Sequence, residues 1–173
     1  TITFANPGAQ TFGTNPTLSA IASSGLSVTF TSNTPEVCTI TSGGTLTFLK
    51  AGTATITAQQ EGNSSYLPAT PVTKSFTVNA ILPGAPTIGT AIAGDGEATV
   101  TFNAPASNGG SAITAYTVTA SPGSITATGL GSPITVTGLI NGTAYIFTVK
   151  ATNSVGTGAA LAASNSVTPK TAQ

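Results

Sequence analysis

The stretch Tyr145-Ile-Phe-Thr-Val-Lys-Ala151 carries the clearest structural signal in this chain. Apolar and polar residues alternate through it, so that Phe147 and Val149 lie on one side while Thr148 and Lys150 lie on the other. Such an alternation is typical of a β-strand, because successive side chains of a strand point to opposite faces of its sheet. The stretch therefore predicts a strand in a sheet with one buried and one solvated face.

The same alternation recurs along the whole chain of 173 residues. The outward positions are mostly threonine, of which there are 35, and threonine fits a pleated surface while its hydroxyl stays solvated. Turn signals such as Ser42-Gly-Gly44 and Asp95-Gly96 separate the alternating runs. The pattern predicts an all-β protein of two antiparallel sandwiches. The predicted strands lie near residues 2–5, 16–22, 26–32, 37–41, 45–49, 53–59, 72–78, 86–91, 97–103, 112–119, 124–128, 133–137, 143–152 and 159–168.

The composition excludes several classes of function. Charged side chains make up 5% of the chain, four basic and four acidic, against about 25% in ordinary soluble domains. Histidine, the usual general base, is missing, and one cysteine without histidine cannot build a zinc, haem or iron–sulfur site. Four dispersed lysines cannot hold a nucleic-acid backbone, and no run of 18 apolar residues could span a membrane. We therefore expect a non-enzyme with no cofactor, metal, nucleic-acid partner or membrane span.

A proline-containing segment, Val78-Asn-Ala-Ile-Leu-Pro-Gly-Ala-Pro86, separates the chain into two halves. Two prolines within four residues stiffen the segment and remove donors for further strand pairing. We predict a first domain at residues 1–80, a linker at 81–86 and a second domain at 87–173.

The second half resembles a fibronectin type III domain. The run Leu139-Ile-Asn-Gly-Thr143-Ala-Tyr145 matches the Leu-x-x-x-Thr-x-Tyr corner of that family. The resemblance implies that Leu139, Thr143 and Tyr145 form a tyrosine corner, in which the hydroxyl bonds to upstream backbone and locks the crossing between sheets. Phe102 stands where the family usually has tryptophan, so the resemblance implies an aromatic core of smaller size.

The first half resembles a bacterial immunoglobulin-like repeat, through Gly25-Leu-Ser-Val-Thr-Phe-Thr-Ser32 and Ala51-Gly-Thr-Ala-Thr-Ile-Thr-Ala58. Some relatives carry cysteine at the positions of both Cys38 and Ala54 and bridge the two sheets. Alanine breaks that pair here, so Cys38 is expected to be a small, buried, unpaired side chain rather than a reactive thiol. Together the two resemblances imply two antiparallel immunoglobulin-like β-sandwiches in tandem.

Three groups of polar residues each have two interpretations. Asp95 and Glu97 could supply calcium oxygens, although a solvated turn is favoured because no third carboxylate lies near in sequence. Lys74 falls at one of the alternating positions that face inward, so it could form an isopeptide cross-link. The other interpretation is that its apolar stem packs on the protein while its amine reaches solvent. The sequons Asn63-Ser-Ser65 and Asn141-Gly-Thr143 could accept glycans, but both are expected to be turns.

Exposed aromatic side chains would indicate a sugar-binding surface. Most of the ten aromatic residues share the parity of the predicted buried faces. Phe12 and Tyr66 fall in predicted loops instead, and the family resemblance assigns Tyr66 a packing role. This distribution argues against a platform for sugars.

These observations predict a non-catalytic spacer in an extracellular bacterial surface protein, an adhesin stalk or a fibre. Joining Gln173 to Thr1 restores Gln-Thr-Ile-Thr-Phe, with which relatives of the first domain open. The chain is therefore expected to be one period of an array, partnered by neighbouring repeats of the same or identical chains and able to form filaments. Two alternatives stay open: a binding module of an adhesin or phage virion, and accessory domains of a secreted polysaccharide-degrading enzyme.

Overall fold

Two compact units make up the chain in the computed structural model, which describes residues 1–172. The first unit is Thr1–Ile81 and the second begins at Leu82. All regular structure in the described residues is β-structure, as the alternating sequence predicts. Gln173, which closes the predicted repeat, lies outside the described residues.

The N-terminal unit is a sandwich of two layers. One layer is a four-stranded sheet in the order β2-β8-β7-β4. The other combines the pairs β1–β3 and β5–β6, which an antiparallel bridge between Thr17 and Thr45 joins. The eight strands are β1 (Ile2–Phe4), β2 (Gln10–Thr11), β3 (Ala20–Ala22), β4 (Thr29–Ser32), β5 (Cys38–Ile40), β6 (Leu46–Phe48), β7 (Gly52–Gln60) and β8 (Ala69–Asn79).

The core of this unit lies between the two layers. On β7, Ala54, Ile56 and Ala58 are fully buried, whereas Thr55 and Thr57 between them face outward and are only partly buried. Two edge-to-face ring pairs connect the layers: Phe4 with Phe30 at 5.5 Å, and Phe48 with Phe76 at 6.4 Å between ring centroids. Burying a phenylalanine contributes about 2–3 kcal/mol, so these rings supply much of the cohesion of the unit.

A glycine makes the junction of the two small sheets possible. Gly44 has a φ of +90°, and a β-carbon there would collide with the backbone oxygen of Leu18. The approach is close because the N–H of Leu18 donates to the oxygen of Gly44 at 2.8 Å. Any side chain at position 44 would therefore separate β3 from β6.

The C-terminal unit is a second sandwich. Its sheets have the orders β13-β10-β9 and β12-β11-β14. Phe147 and Val118 are fully buried between them, and the rings of Phe102 and Tyr116 meet across the layers at 4.8 Å. The strands are β9 (Thr87–Ala93), β10 (Glu97–Asn103), β11 (Ala115–Ser121), β12 (Thr126–Gly129), β13 (Ile134–Thr137) and β14 (Ile146–Thr152).

The predicted strand at 159–168 is not a continuous strand. The chain bridges to β14 at Thr157, leaves it with Leu161 65% exposed, and pairs again at Val167. Where it returns, Ser164 donates its N–H to β14 at 2.8 Å but accepts a β14 N–H with its side-chain oxygen at 3.1 Å. The prediction was wrong here because a side chain replaces part of the backbone ladder.

Two further differences concern the N-terminal unit. The predicted strand at 16–22 is a single bridge at Thr17 followed by β3. The short strand β2 was not predicted; its two residues pair in parallel with Val78 and Asn79 of β8. A two-residue strand has too short an alternation to be recognised from sequence.

The predicted linker at 81–86 is largely part of the second unit. The N–H of Gly84 donates to the oxygen of Ser107 at 2.9 Å, and both Pro83 and Pro86 are buried. Prolines lack a donor for strand pairing but can still be buried against a core.

Candidate functional site

Hydrogen bonds hold the tyrosine corner of the C-terminal unit together. Leu139 and Tyr145 are 5% and 3% exposed, and the N–H of Ile140 donates to the Tyr145 hydroxyl oxygen at 3.2 Å. Thr143 is half-buried, and its N–H donates to the oxygen of Ile140 at 3.2 Å. The three corner residues named from the sequence thus lie together around one tight turn.

The hairpin between β9 and β10 is bonded to this turn. The N–H of Leu139 donates to the oxygen of Gly96 at 2.8 Å, and the N–H of Gly96 donates to Asn141 Oδ1 at 2.9 Å. Asn141 Nδ2 in turn donates to Asp95 Oδ1 at 2.7 Å. We call Asp95, Gly96, Asn141 and Tyr145 the corner cluster; it joins the sheet of β9 to the start of β14.

The final described residues bond to the corner cluster and to the residues next to it. The N–H of Gly142 donates to Pro169 at 2.8 Å, and that of Lys170 donates to Gly94 at 3.1 Å. The N–H of Ala172 donates to Asp95 Oδ2 at 3.3 Å. These bonds fix the direction in which the chain leaves the C-terminal unit.

Asp95 is the electrostatic centre of the cluster. The hydrogen bond from Asn141, followed by the one from Ala172, holds the pKa of this carboxyl below its ordinary value of 3.8. Both carboxylate oxygens accept these bonds, and Glu97 is half-buried two residues away. Within residues 1–172, no three His, Cys, Asp or Glu side chains come together as a metal site. The arrangement favours a bonded turn over a calcium site.

Phe102 and Cys38 lie in the two cores. Phe102 is 6% exposed and packs against Tyr116. Cys38 is fully buried and free, in the same core cluster as Ala54, and its sulfur lies 3.5 Å from the hydroxyl of Ser32. These positions suit packing rather than thiol chemistry.

Lys74 and Asn63 lie on the N-terminal unit. Lys74 is half-buried on β8. It lies opposite Ile56 of β7, which in turn lies opposite Ser32 of β4, so its direct cross-strand neighbour is neither an amide nor an acid. Asn63 bends its loop, because its Oδ1 accepts the N–H groups of Ser65 and Tyr66 at 2.8 and 3.0 Å.

The packing role expected for Tyr66 was wrong. The turn at Asn63 directs the loop outward, leaving Tyr66 51% and Leu67 89% exposed. Phe12, the other aromatic residue expected in a loop, is half-buried against the core of the N-terminal unit, and its N–H donates to Asn79 at 2.9 Å.

Sequence reasoning missed the bonding roles of three polar residues. Asn141 was considered only as a sequon, and neither Ser32 nor Asn165 was singled out. The Ser32 hydroxyl donates to the oxygen of Cys38 at 2.8 Å, and Asn165 bonds twice to Ala91. The one available signal was Ser164-Asn-Ser166, three polar residues in a row that interrupt the predicted alternation.

The chemistry of the corner cluster is limited to holding strands together. It contains the exposed carboxylate of Asp95, the side-chain amide of Asn141, the backbone N–H of Gly96 and the hydroxyl of Tyr145, which already accepts a bond. Beside it lies a shallow groove formed by the hairpin and the last described residues. None of the described residues forms a helix long and apolar enough to cross a membrane.

Two family models match the two units of the chain separately. The model of the bacterial Ig-like domain matches residues 26–65, and that of the fibronectin type III domain matches residues 83–168. A segment of consecutive titin domains is similar over 98% of this chain and 66% of its own length, with 16% identity and a TM-score of 0.52. At that identity the likeness shows the fold alone.

Two other solved structures are similar over about half of the chain. The twitchin kinase region from C. elegans has 24% identity and a TM-score of 0.48, covering 53% of this chain and 17% of its own. Domains d3 and d4 of the rat CD45 extracellular region have 24% identity and a TM-score of 0.47, covering 57% and 56%. The chain spans less than two thirds of the length of each of these three structures. A search of curated proteins gave no match.

The two family matches follow the order expected from the sequence. This chain is a bacterial immunoglobulin-like domain followed by a fibronectin type III domain.

Proposed function

We propose that this chain is a non-catalytic spacer of an extracellular bacterial surface protein, adhesin stalk or fibre. Its partners are neighbouring immunoglobulin-like and fibronectin-like repeats of the same or identical chains. One observation carries the proposal: in each domain the chain enters at one end of the sandwich and leaves at the other.

In the N-terminal domain, Thr1 and Gln60 line one groove, so the first residue lies at the end of β7. The last strand ends at Asn79, where Val78 pairs with Gly52 at the opposite end of β7. A strand of nine residues spans about 30 Å, which separates the two ends of the domain by that distance.

In the C-terminal domain, Gly84 bonds to Ser107, and the oxygen of Pro83 lies so close to Gly158 that a β-carbon there would collide with it. The last described residues bond instead to Gly94 and Asp95, beyond the other end of β9. The seven residues of β9 span about 23 Å between these ends.

Domains of this kind convert sequence into length when they are joined in series. The outer faces carry mostly threonine, and the chain has a net charge of zero, so little attracts other molecules non-specifically. Both properties suit a spacer that separates a functional tip from its anchor.

Proteins containing one, two and four copies of this chain test the spacer. We expect the maximum dimension from small-angle X-ray scattering to rise in proportion to copy number. Unlinked single copies at equal mass concentration are the control, because only covalent joining should add length. A maximum dimension that stays nearly constant from one to four copies would contradict the proposal.

The array and its location are separate parts of the proposal. We expect the parent protein to repeat this pair of domains head to tail and to be cleaved by protease added outside intact cells. Unrelated sequence on both sides, or full protection from external protease, would refute these parts and leave the spacer geometry unaffected.

The exposed loop of the N-terminal domain favours a second candidate, a binding module. Tyr66 and Leu67 protrude from a turn that Asn63 holds in place, and an exposed tyrosine ring can stack on a sugar. Binding to a glycan array that Tyr66→Ala abolishes, while Leu130→Ala at an exposed site of the other domain preserves it, would support this candidate. Absence of binding by the unmodified protein would eliminate it.

A further inference from the structure

Strand β9 has the properties of an edge that needs protection. Its seven residues, Thr-Ile-Gly-Thr-Ala-Ile-Ala, contain neither charge nor proline, and only β10 pairs with it in the sheet. Natural sheets usually protect such an edge with lysine, proline or a bulge, because an open edge can pair with another chain. Against β10, β9 carries one extra residue between Ile88 and Ala91, whereas its pairing from Ala91 to Ala93 is regular. The protection of this regular part must therefore come from elsewhere.

Asn165 contacts this edge at Ala91. The N–H of Ala91 donates to Asn165 Oδ1 at 2.9 Å, and Asn165 Nδ2 donates to the oxygen of Ala91 at 3.0 Å. A residue of a neighbouring antiparallel strand would exchange the same two bonds. The side-chain carboxamide has the donor and acceptor of a peptide group, so it takes the place of a strand.

A bulge directs Asn165 to this position. Val167 pairs with Tyr145, and the N–H of Ser164 bonds to Phe147. The final segment therefore advances three residues where the strand opposite it advances two, which is a bulge with one extra residue. An extra residue in one strand re-aims a side chain, and here the bulged segment lies between β14 and β9. The bulge thus points the side-chain amide of Asn165 towards the backbone of Ala91.

We propose that Asn165 occupies an interaction edge on β9, and that without its side chain this edge binds β9 of a second copy of the chain. The pairing is antiparallel and two-fold, because the same uncharged segment then supplies both partners. A net charge of zero gives the two copies no long-range repulsion. The inference does not rest on the spacer proposal, since it concerns one strand edge.

The test compares the unmodified chain, Asn165→Ala and Asn103→Ala; Asn103 is exposed at the end of β10 and serves as matched control. In dilute Asn165→Ala, we expect the Ala91 amide to exchange hydrogen about tenfold faster, while the amides of β11 keep their protection. On concentration, only Asn165→Ala should form dimers in sedimentation, and the Ala91 amide should regain protection in them.

Three results would overturn the proposal: unchanged exchange at Ala91, an Asn165→Ala protein that stays monomeric, or dimers in which Ala91 remains unprotected. If Asn165→Ala loses its fold, seen as fast exchange throughout β11, Asn165→Ser replaces it. Serine keeps a polar side chain but lacks the carboxamide that exchanges two bonds with Ala91. Dimers of Asn165→Ser with a protected Ala91 support the proposal, and their absence overturns it.

Discussion

The two domains join their terminal strands by different means. In the N-terminal domain, β2 pairs with β8 through backbone groups, and the N–H of Phe12 extends this contact to Asn79 at 2.9 Å. In the C-terminal domain, β9 itself contacts the final segment through the amide of Asn165, and one backbone bond, from Lys170 to Gly94, follows just beyond the strand. A similar architecture is thus closed once by backbone pairing of two strands and once mainly by a side chain.

This difference determines which substitutions each closure tolerates. A backbone ladder survives most changes of side chain and is broken chiefly by proline, which removes a donor. The two bonds between Asn165 and Ala91 are lost when Asn165 is replaced by alanine, and the backbone bond from Lys170 to Gly94 then remains. We therefore expect the two domains to respond to different kinds of mutation.

The largest expected effect comes from breaking the backbone closure. Phe12→Pro removes the N–H that bonds to Asn79, restrains the residue before it and deletes a half-buried ring. We expect the N-terminal domain to lose about 3 kcal/mol of unfolding free energy. Two-stage thermal or urea unfolding should show this loss while the C-terminal transition stays in place, because the cores are separate.

The matched control for this change is Thr11→Ala, in the same short strand. It keeps every backbone group and removes an exposed side chain, so the expected loss is under about 0.5 kcal/mol. Equal effects of Phe12→Pro and Thr11→Ala would show that the parallel pairing of β2 contributes little.

The next effect concerns the tyrosine corner of the C-terminal domain. Tyr145→Phe keeps the buried ring and removes the oxygen that accepts the N–H of Ile140. We expect a loss of about 1.5 kcal/mol in the C-terminal transition alone. Tyr116→Phe, in the same core, is the comparison and should cost less, since no bond to the Tyr116 hydroxyl occurs within residues 1–172.

Two serine hydroxyls allow a smaller comparison between the domains. Ser32 donates to the oxygen of Cys38 at 2.8 Å and accepts the N–H of Thr34 at 3.3 Å, whereas Ser132 accepts only the N–H of Phe102, at 2.9 Å, among the described residues. Substitution by alanine should cost about 1 kcal/mol in each case, and more at Ser32, because a half-buried side chain with two bonds is lost there and an exposed one with a single bond is lost at Ser132. Chemical unfolding of both variants measures the order, and a larger loss at Ser132 would contradict it.

The sequence predicted those features that repeat along a strand. Alternation is carried by every second residue, so β7, β10 and β14 could be recognised with their buried faces. The corner at Tyr145 was found through a family pattern whose spacing is local. Both kinds of signal are contained in short stretches of chain.

Contacts between distant residues could not be predicted in this way. Asn165 bonds to a residue 74 positions away, and Asn141 to one 46 positions away. Nothing near either asparagine distinguishes it from those in ordinary turns, since its partner is known only once the sandwich has closed. The same reason explains the failure at 159–168, where the bulge matters more than the alternation.

The smallest expected effect is the pH dependence of the corner cluster, which the N-terminal domain lacks. Hydrogen bonds from Asn141 and Ala172 lower the pKa of Asp95 in the folded protein, so ionised Asp95 favours folding above its unfolded pKa near 4. This contribution should be constant from pH 7 to about 5 and disappear as the pH falls through the lowered folded pKa. The effect is small because the carboxylate is exposed to solvent. Melting curves of the unmodified chain and of Asp95→Asn should differ less at low pH than at neutral pH; a constant difference would show that the bonds to Asp95 do not depend on its charge.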